Sequence, residues 1–285
     1  MRQQRLDVRS LHRRCQNIRA GVLRMAHAAQ TPHVASALSC ADLLGALYFS
    51  VLQIDPACPH APERDRFILS KGHACTAQYA ALAERSFFPQ TLLQEYARDG
   101  GPLDEHPSPG CVPGIEAATG SLGHGLSIGA GLALAAKIRA QRHRVFILLS
   151  DGECNEGSVW EAAIFARRYE LDNLTAILDY NKLSAMERVD DFMNPLAEKW
   201  RAFGWAACEI DGHDLTAITE TLEAVPLQPN RPTAIIAHTV KGKGVSFMEN
   251  DLEWHYRPPN ADDLRRALAE TEEHRTPEHR PVYVP

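Results

Sequence analysis

The stretch LLSDGECNEG (148–157) runs from a string of apolar residues straight into three carboxylates and an asparagine. A second apolar string, LTAILDY, ends directly before Asn181. Asp151 and Asn181 can each offer a hard oxygen ligand, which suits Mg²⁺ in a coordination shell shared with phosphate oxygens and water. On this spacing alone, two polar strand ends without any ligand are an equally good interpretation.

The chain between these two residues has room for one helix and one strand, which makes a single βαβ crossover. The carboxyl ends of parallel strands meet at one edge of a sheet, where open α/β folds bind ligands. We therefore expect Asp151 and Asn181 to lie side by side at that edge. A helix that begins near Gly157 would direct its N-terminus at the phosphate group bound to this metal ion. The spacing thus indicates a magnesium–diphosphate site.

Two other loop types do not fit the sequence. A calcium loop that starts at Asp151 needs glycine at its sixth position and glutamate at its twelfth, but these positions hold Glu156 and Ala162. A dinucleotide-binding loop needs a third glycine after Gly123 and Gly125, but no glycine has the required spacing and no strand precedes the segment. Both interpretations are therefore excluded.

The elements that must position these residues follow from the apolar patterns. Ser39 and Asp42 have the spacing of a capping box and predict a helix start near Ser39. Strands are predicted at 66–70, 145–150, 174–179, 205–210 and 233–239. Helices are predicted at 5–29, from about 39, after 74, at 125–141, 157–169 and 195–203, and after 258.

Alternating strands and helices predict an α/β fold with a mostly parallel sheet and helices on both faces. No internal repeat or linker divides the chain, so we expect a single domain over residues 1–285. Within it we expect an N-terminal helix at 1–30, a core at 31–258, and a C-terminal helix and tail at 259–285. The stripe Gly125, Gly129 and Ala133 forms a smooth helix face. Such a face can pack inside the monomer, but the family resemblance given below implies a subunit interface, which we expect.

Composition excludes several classes of protein. The 285 residues carry a net charge of −6 and no lysine-rich run, which argues against a nucleic-acid partner. No apolar stretch reaches the roughly 18–20 residues that cross a bilayer, so we expect no membrane span. The arginine-rich start lacks the apolar region of a secretory signal. None of the seven cysteines forms a C-x-x-C pair, which indicates free thiols and a cytoplasmic location.

The site motif and four further segments, taken in order, resemble transketolases. SDGECNEG followed by NLTAILDYNKL is similar to the family's thiamine diphosphate motif. The other matching segments are SKGHA (70–74), LDEH (103–106), PGIEAATGSLGHGLS (113–127) and HTVKGKGVSFMENDLEWH (238–255). The chain resembles only the diphosphate-binding module, and its length is similar to that of the N-terminal subunit of split transketolases.

This resemblance implies two cofactors, thiamine diphosphate and Mg²⁺. It implies that Asp151, Asn181 and the carbonyl of Leu183 hold the metal ion. The residues that would contact the diphosphate or face the cofactor rings are Gly152, His73, Gly120 and Leu122.

The resemblance also implies catalytic roles. His33, His106 and His255 match histidines that bind substrate hydroxyls and move protons, a task suited to imidazoles with a pKa near 6.5. Glu156 matches a glutamate at the interface between two copies, although a solvent-exposed carboxylate at a helix start is the simpler interpretation. Glu153 is expected only to support the loop, as is the neighbouring asparagine.

The implied function is transfer of a two-carbon ketol unit from a ketose to an aldose. The partner would be a separate pyrimidine-module subunit that supplies the glutamate for cofactor activation, in an α2β2 heterotetramer that acts on small sugars. The chain alone would be inactive. Alternatives are the α-subunit of another thiamine diphosphate enzyme (a 2-oxo-acid dehydrogenase, or one like deoxyxylulose-phosphate synthase) and a non-catalytic scaffold subunit.

Several positions depart from the family's pattern. Ser150 replaces a glycine in the metal motif, and Pro32 precedes His33 where glycine is usual. Asp104 lies near the matching histidine of the LDEH segment, and Tyr256 follows His255 in place of glycine. Most of these changes lie where sugars would enter, so they indicate a specialised ketose.

Overall fold

The computed structural model describes residues 6–185 and 187–273. The last part of the predicted C-terminal tail therefore lies outside the described residues. The helices are α1 (Val8–Ala29), α2 (Val34–Ser39), α3 (Ala41–Ala46), α4 (Cys75–Glu84), α5 (Gly125–Ile138), α6 (Gly157–Arg168), α7 (Asp190–Met193), α8 (Leu196–Ala202), α9 (Leu215–Glu223) and α10 (Ala261–Glu273).

Five strands form one sheet, and every neighbouring pair is parallel. The strands are β1 (Arg66–Leu69), β2 (Val145–Ser150), β3 (Leu174–Tyr180), β4 (Ala206–Asp211) and β5 (Thr233–His238). Their order across the sheet is β1-β2-β3-β5-β4. The predicted α/β class with a parallel sheet is confirmed, and β2 and β3 are direct neighbours as the single crossover requires.

Helices cover both faces of the sheet. Successive strand residues point to opposite sides, so each strand packs against helices on both faces. In β2, Phe146 and Leu148 pack with α1, α2, α3, α4 and α9. Val145, Ile147 and Leu149 pack on the other side with α5, α6 and α8. A strand buried on both faces reads as a continuous apolar run, which is the pattern the sequence shows.

Two local predictions differ from the structure. A helix does begin near Ser39, since α3 starts at Ala41, but Ser39 does not cap it: Ser39 is the last residue of α2, and its hydroxyl donates to the carbonyl of Ser36 and the carboxylate of Asp179. The sequence reading also missed α9, which begins after Asp214, whose carboxylate accepts hydrogen bonds from two backbone N–H groups of the first turn. The contact of Ser39 with Asp179 joins residues far apart in sequence, whereas Asp214 is a local N-cap that the sequence reading overlooked.

The small-residue stripe of α5 packs inside the monomer, which corrects the expected interface. A Cβ on Gly125 would lie 2.3 Å from the hydroxyl oxygen of Ser70, and one on Gly129 would lie 2.2 Å from Cδ1 of Ile147. Ala133 is fully buried. The absence of side-chain bulk lets the α5 backbone approach β1 and β2 closely. Within the described residues, no helix has the length and apolar character to cross a membrane.

Candidate active site

The two predicted metal ligands lie together at the carboxyl edge of the sheet. Ser150 of β2 pairs with Asp179 of β3, and Asp151 and Asn181 follow these strands directly. Both side chains are buried. Asp151 accepts hydrogen bonds from the backbone N–H of Gly152 at 2.8 Å and from that of Lys182 at 2.6 Å. The Asp151 side chain therefore joins the loops that follow β2 and β3.

Leu183 brings a third oxygen to this edge. Its N–H donates to Oδ1 of Asn181, and Lys182 between them adopts a left-handed conformation with φ of 69°. Positive φ in a residue other than glycine stores strain, a feature that clusters at functional sites. Carboxylate, amide and backbone carbonyl oxygens are all hard donors, so the set fits Mg²⁺.

The electrostatics of Asp151 also favour a bound cation. Burial, followed by the nearby charge of Asp179, raises the pKa of Asp151 to about 7. A buried carboxylate of this kind is ionised at neutral pH only with compensation, and a cation supplies it. The described residues contain no group of three or more His, Cys, Asp or Glu side chains placed to hold a metal. A site here would therefore rely on amide and carbonyl oxygens beside one carboxylate.

Asp179 organises the buried layer beneath these ligands, and the sequence reading did not identify it. Its carboxylate pairs with the ammonium of Lys71, and it accepts hydrogen bonds from Thr239 and from Nδ2 of Asn181. Burial opposes the charges of both partners, yet their attraction lowers the pKa of Asp179 and raises that of Lys71. The one available signal was a carboxylate within an otherwise apolar strand.

Glu153 supports the loop, as expected, by joining three segments. It is fully buried and accepts hydrogen bonds from the hydroxyl of Ser70, the N–H of Gly123 at 2.8 Å and the N–H of Ser150 at 3.2 Å. Burial raises its pKa. Ser150 takes part with both its backbone and its hydroxyl, which accepts from the N–H of Glu153. A serine at this position therefore fits the turn.

Four histidines from four separate segments form a continuous line, here called the histidine row. The ring centroids are 4.8 Å apart for His106 and His73, 4.8 Å for His73 and His33, and 4.9 Å for His33 and His255. Each contact is edge to face. The structure thus brings together all the histidines to which the sequence assigned a role, next to the metal-ligand edge.

Three imidazoles of the histidine row have pKa values below the ordinary value that the sequence reading assumed. Burial and the neighbouring imidazoles lower the pKa of His33 to about 4, and burial with the nearby Lys241 lowers that of His255 to about 3. The pKa of His73 is also lowered, first by burial and then by His106. His33, His73 and His255 are therefore neutral at pH 7, which corrects the expected pKa near 6.5. Neutral imidazoles can both donate and accept hydrogen bonds.

Buried polar atoms without a hydrogen-bond partner, and a glycine that packs closely on a histidine ring, show that this region fits a ligand. Nδ1 of His33 and the hydroxyl of Thr119 are buried and have no hydrogen-bond partner among the described residues. His33 also has φ of 71°, a strained conformation for a non-glycine residue. A Cβ on Gly120 would lie 2.2 Å from the ring of His106, so only glycine allows this close approach.

Lys241 is a second residue that the sequence reading missed. Its ammonium is buried and donates to the carbonyls of Leu183 at 3.2 Å and Ser184 at 2.8 Å, and to Nδ1 of His255 at 2.8 Å. The last contact fixes the proton of His255 on Nε2. Burial lowers the pKa of Lys241 to about 8. The TVKGKG segment was recognised, but neither of its two lysines was assigned a role.

The remaining predicted residues lie around this centre. A Cβ on Gly152 would make ordinary van der Waals contact with Cβ of Ser184 at 3.6 Å, and Leu122 is partly exposed in the loop before α5. Glu156 is exposed at the start of α6, and its side chain makes no capping hydrogen bond there. Its place at the helix start agrees with the simpler interpretation and leaves the interface role a prediction.

Comparisons with known proteins identify relatives of this chain. The family model for the thiamine diphosphate binding domain of transketolase matches residues 11–276. A transketolase structure from Campylobacter jejuni superposes with a TM-score of 0.84 at 26% identity, covering 94% of this chain and 43% of that one. The chain is 38% identical to human transketolase, of which it spans 38% of the length.

Relatives of similar length carry the names of subunits. The chain is 37% identical to an apulose-4-phosphate transketolase subunit of Phocaeicola vulgatus, covering 94% of this chain and 96% of that protein. It is 41% identical to a 6-deoxy-6-sulfo-D-fructose transketolase subunit of Clostridium sp., covering 84% and 88%. Together with the family match and the geometry of the sheet edge, these relatives show that the chain belongs to the transketolase family, as its thiamine diphosphate binding domain.

Proposed function

We propose that this chain is the cofactor-binding subunit of a two-subunit transketolase that transfers a two-carbon ketol unit from a ketose to an aldose. The observation that carries this proposal is the set of three hard oxygens at the sheet edge, directly beside the histidine row. A diphosphate cofactor needs the first feature, and a polyhydroxylated substrate needs the second. The names of the subunit-length relatives support the same function.

Asp151, Asn181 and the carbonyl of Leu183 would hold Mg²⁺, and the metal ion would bind the diphosphate. Lys241 contacts the carbonyl of Leu183 and adds a positive charge beside the same group. Gly152 has no side chain to cover its backbone, and a Cβ there would lie no closer than 3.6 Å to another heavy atom. By the same proposal, His73 contacts the diphosphate, while Gly120 and Leu122 face the cofactor rings.

The histidine row would bind and orient the sugar. When bound, thiamine diphosphate supplies the carbanion and electron sink that C–C cleavage requires. His33, His106 and His255 would hydrogen-bond the hydroxyls of the substrate and carry protons to and from them. Because Lys241 occupies Nδ1 of His255, that imidazole presents Nε2–H as a donor. Nδ1 of His33, which has no described partner, is free for a substrate hydroxyl.

The partner would be a separate pyrimidine-module subunit in an α2β2 assembly. Two relatives are named as one subunit of an apulose-4-phosphate transketolase, which indicates a second subunit for each of them. On this chain, Glu156 is exposed at the start of α6, and Ile164 of the same helix and Ile128 of α5 are exposed as well. We propose that Glu156 belongs to the interface between two copies there, and that the complex acts on small sugars in the cytoplasm.

A calorimetric titration of thiamine diphosphate tests this function. The chain would be titrated with and without Mg²⁺, first alone and then with its candidate partner subunit. We expect binding that requires Mg²⁺ and tightens with the partner, followed by ketol transfer only in the complex. Asp151→Ala should abolish Mg²⁺-dependent binding, whereas Asp191→Ala, at an exposed carboxylate, is the matched control. Unchanged affinity in Asp151→Ala would remove the metal assignment.

The same samples separate the alternatives. Cofactor binding with decarboxylation of 2-oxo acids, but without ketol transfer, would indicate another thiamine diphosphate enzyme. No cofactor binding with the partner present would indicate a scaffold subunit. The partly buried histidine row favours transketolase over the first alternative, because hydroxylated substrates need several hydrogen-bonding groups.

A further inference from the structure

We propose that Tyr256 is a specificity-determining residue, whose ring limits the size of the sugar that the histidine row accepts. The inference rests on the proposed transketolase function and goes beyond it. Tyr256 is 57% exposed, although its ring packs against active-site residues. Its ring centroid lies 4.7 Å from that of His255 and 5.8 Å from that of His33. It thus borders the solvent side of the row.

The backbone around Tyr256 holds the ring in place. Tyr256 follows the short helix Leu252–His255, and its N–H donates to the carbonyl of Glu253. The neighbouring Trp254 is buried, packs on Phe247, and lies under the guanidinium of Arg257 at 4.4 Å. The tyrosine therefore projects from a segment that is held by packing, and a ring fixed in this way can select sugars by size.

The segment is also joined to the histidine row through the backbone. The N–H of His33 donates to the carbonyl of His255 at 2.8 Å, which fixes the spacing between the two imidazoles beside the tyrosine. Any sugar atom that extends past His33 and His255 on this side meets the aromatic ring. The ring thus excludes the outer carbons of a long or branched sugar, whereas a short one ends before reaching it.

The hydroxyl of Tyr256 adds a polar contact to this ring. It makes no hydrogen bond to any of the residues that the structure describes, so it can donate to or accept from a sugar hydroxyl. The ring and the hydroxyl can be tested separately. Tyr256→Gly removes both, whereas Tyr256→Phe keeps the ring alone.

The test uses the complex of this chain with its partner subunit, loaded with thiamine diphosphate and Mg²⁺. Hydroxypyruvate serves as ketol donor, with unphosphorylated aldoses of two to six carbons as acceptors. In Tyr256→Gly we expect kcat/KM for the longest acceptor, relative to glycolaldehyde, to rise about tenfold, the scale of discrimination that a sterically restricted pocket provides. Tyr256→Phe should keep the relative preference for acceptor length of the unmodified complex.

Tyr169→Gly is the matched control, because Tyr169 is also an exposed tyrosine that directly follows a helix. It should leave the acceptor preference unchanged. Cofactor affinity should be the same in all variants, which shows that each has folded. An unchanged preference in Tyr256→Gly would overturn the inference, as would weaker binding of the partner without a change of preference, since the tyrosine would then serve docking. If the unmodified complex transfers no ketol unit from any donor, the proposed function fails, and the inference fails with it.

Discussion

Single residues decide how the metal-ligand edge is built, and Asp179 has the largest part. It orients Asn181 by a hydrogen bond and neutralises Lys71 within a region closed to solvent. Removing one partner of a buried ion pair leaves an uncompensated charge, a change that costs about 3–5 kcal/mol. The geometry of the proposed metal site therefore depends on a residue that would not touch the metal ion.

We predict that Asp179→Asn lowers the free energy of unfolding by about 3–5 kcal/mol, because Lys71 loses its counter-charge. Cofactor affinity should fall as well, because Asn181 loses its support. Urea unfolding measures the first effect and calorimetry the second. Asp172→Asn is the control: its pair with Lys137 is partly exposed, so the loss should stay below about 1 kcal/mol. Equal losses in the two variants would contradict the assigned role.

The lowered histidine pKa values predict a dependence of stability on pH. The pKa of His33 is about 4 in the folded chain, against an ordinary value of 6.5. Between these values the unfolded chain binds the additional proton, so His33 contributes stability that is present above pH 6.5 and lost as the pH falls toward 4. His255, with a pKa lowered to about 3, acts in the same direction.

We predict that His33→Asn makes the loss of stability on acidification less steep. Asparagine tolerates the positive φ at this position and does not titrate. Urea unfolding at several pH values between about 7 and 4.5 gives the slope. His60→Asn, at an exposed histidine, should retain the slope of the unmodified chain. A slope unchanged by His33→Asn would show that His33 is not held neutral by its surroundings.

At the scale of elements, α5 shows how two glycines of one helix differ. Gly129 faces β2, where a Cβ would lie 2.2 Å from Ile147, whereas Gly131 is exposed and a Cβ would meet no atom within 4 Å. The helix propensity gained by replacing glycine with alanine is about 1 kcal/mol at either position. Packing should therefore decide whether each substitution raises or lowers the free energy of unfolding.

We predict that Gly131→Ala stabilises the chain by about 1 kcal/mol. Gly129→Ala should instead destabilise it by about 1–3 kcal/mol, because the fully buried Ile147 would have to shift within the packed core. Chemical denaturation of the two variants in parallel measures the difference. Stabilisation by both substitutions would mean that α5 can move away from the sheet without loss.

Most elements of the fold could be predicted because their signals are local. The apolar run of β2 and the helical spacing in α5 are visible in short windows of sequence, and the alternation of strands and helices predicts the parallel sheet. The helix face that α5 buries was misjudged, because small residues permit close approach to any surface. Choosing between the sheet and another subunit requires knowledge of what lies opposite, which no local pattern contains.

At the scale of the whole molecule, the site is assembled from residues far apart in sequence. Lys71 follows β1 and Asp179 belongs to β3, so their pairing depends on the strand order. The resemblance assigned roles to the histidines, but the lowered pKa values of His33, His73 and His255 arise only when the fold brings these rings together and removes them partly from solvent. Mutual contact and burial are tertiary properties, and for this reason Lys71, Asp179 and Lys241 were missed.

A second buried network joins helices distant in sequence to the loop that carries Lys241. Arg19 of α1 forms two hydrogen bonds with Asp42 of α3 and donates from Nε to the carbonyl of Lys243. His213 bonds Asp42 through Nδ1 and accepts the N–H of Val240 through Nε2. The loop that carries Lys241 is therefore held by contacts at Val240 and at Lys243. Since its position depends on distant helices, binding at the site should stabilise the molecule as a whole.

We predict that thiamine diphosphate and Mg²⁺ together raise the melting temperature of the chain, because a ligand that binds only the folded state adds stability as its concentration rises. At one hundred times the dissociation constant the gain is about 2.7 kcal/mol. Thermal unfolding followed by circular dichroism, without the partner present, measures the shift. EDTA should remove it, because the site proposed at Asp151 and Asn181 would then lack its metal ion. Asp151→Ala should show no shift, whereas Asp191→Ala should show the full one. A shift that survives both EDTA and Asp151→Ala would place the bound cofactor somewhere other than this sheet edge.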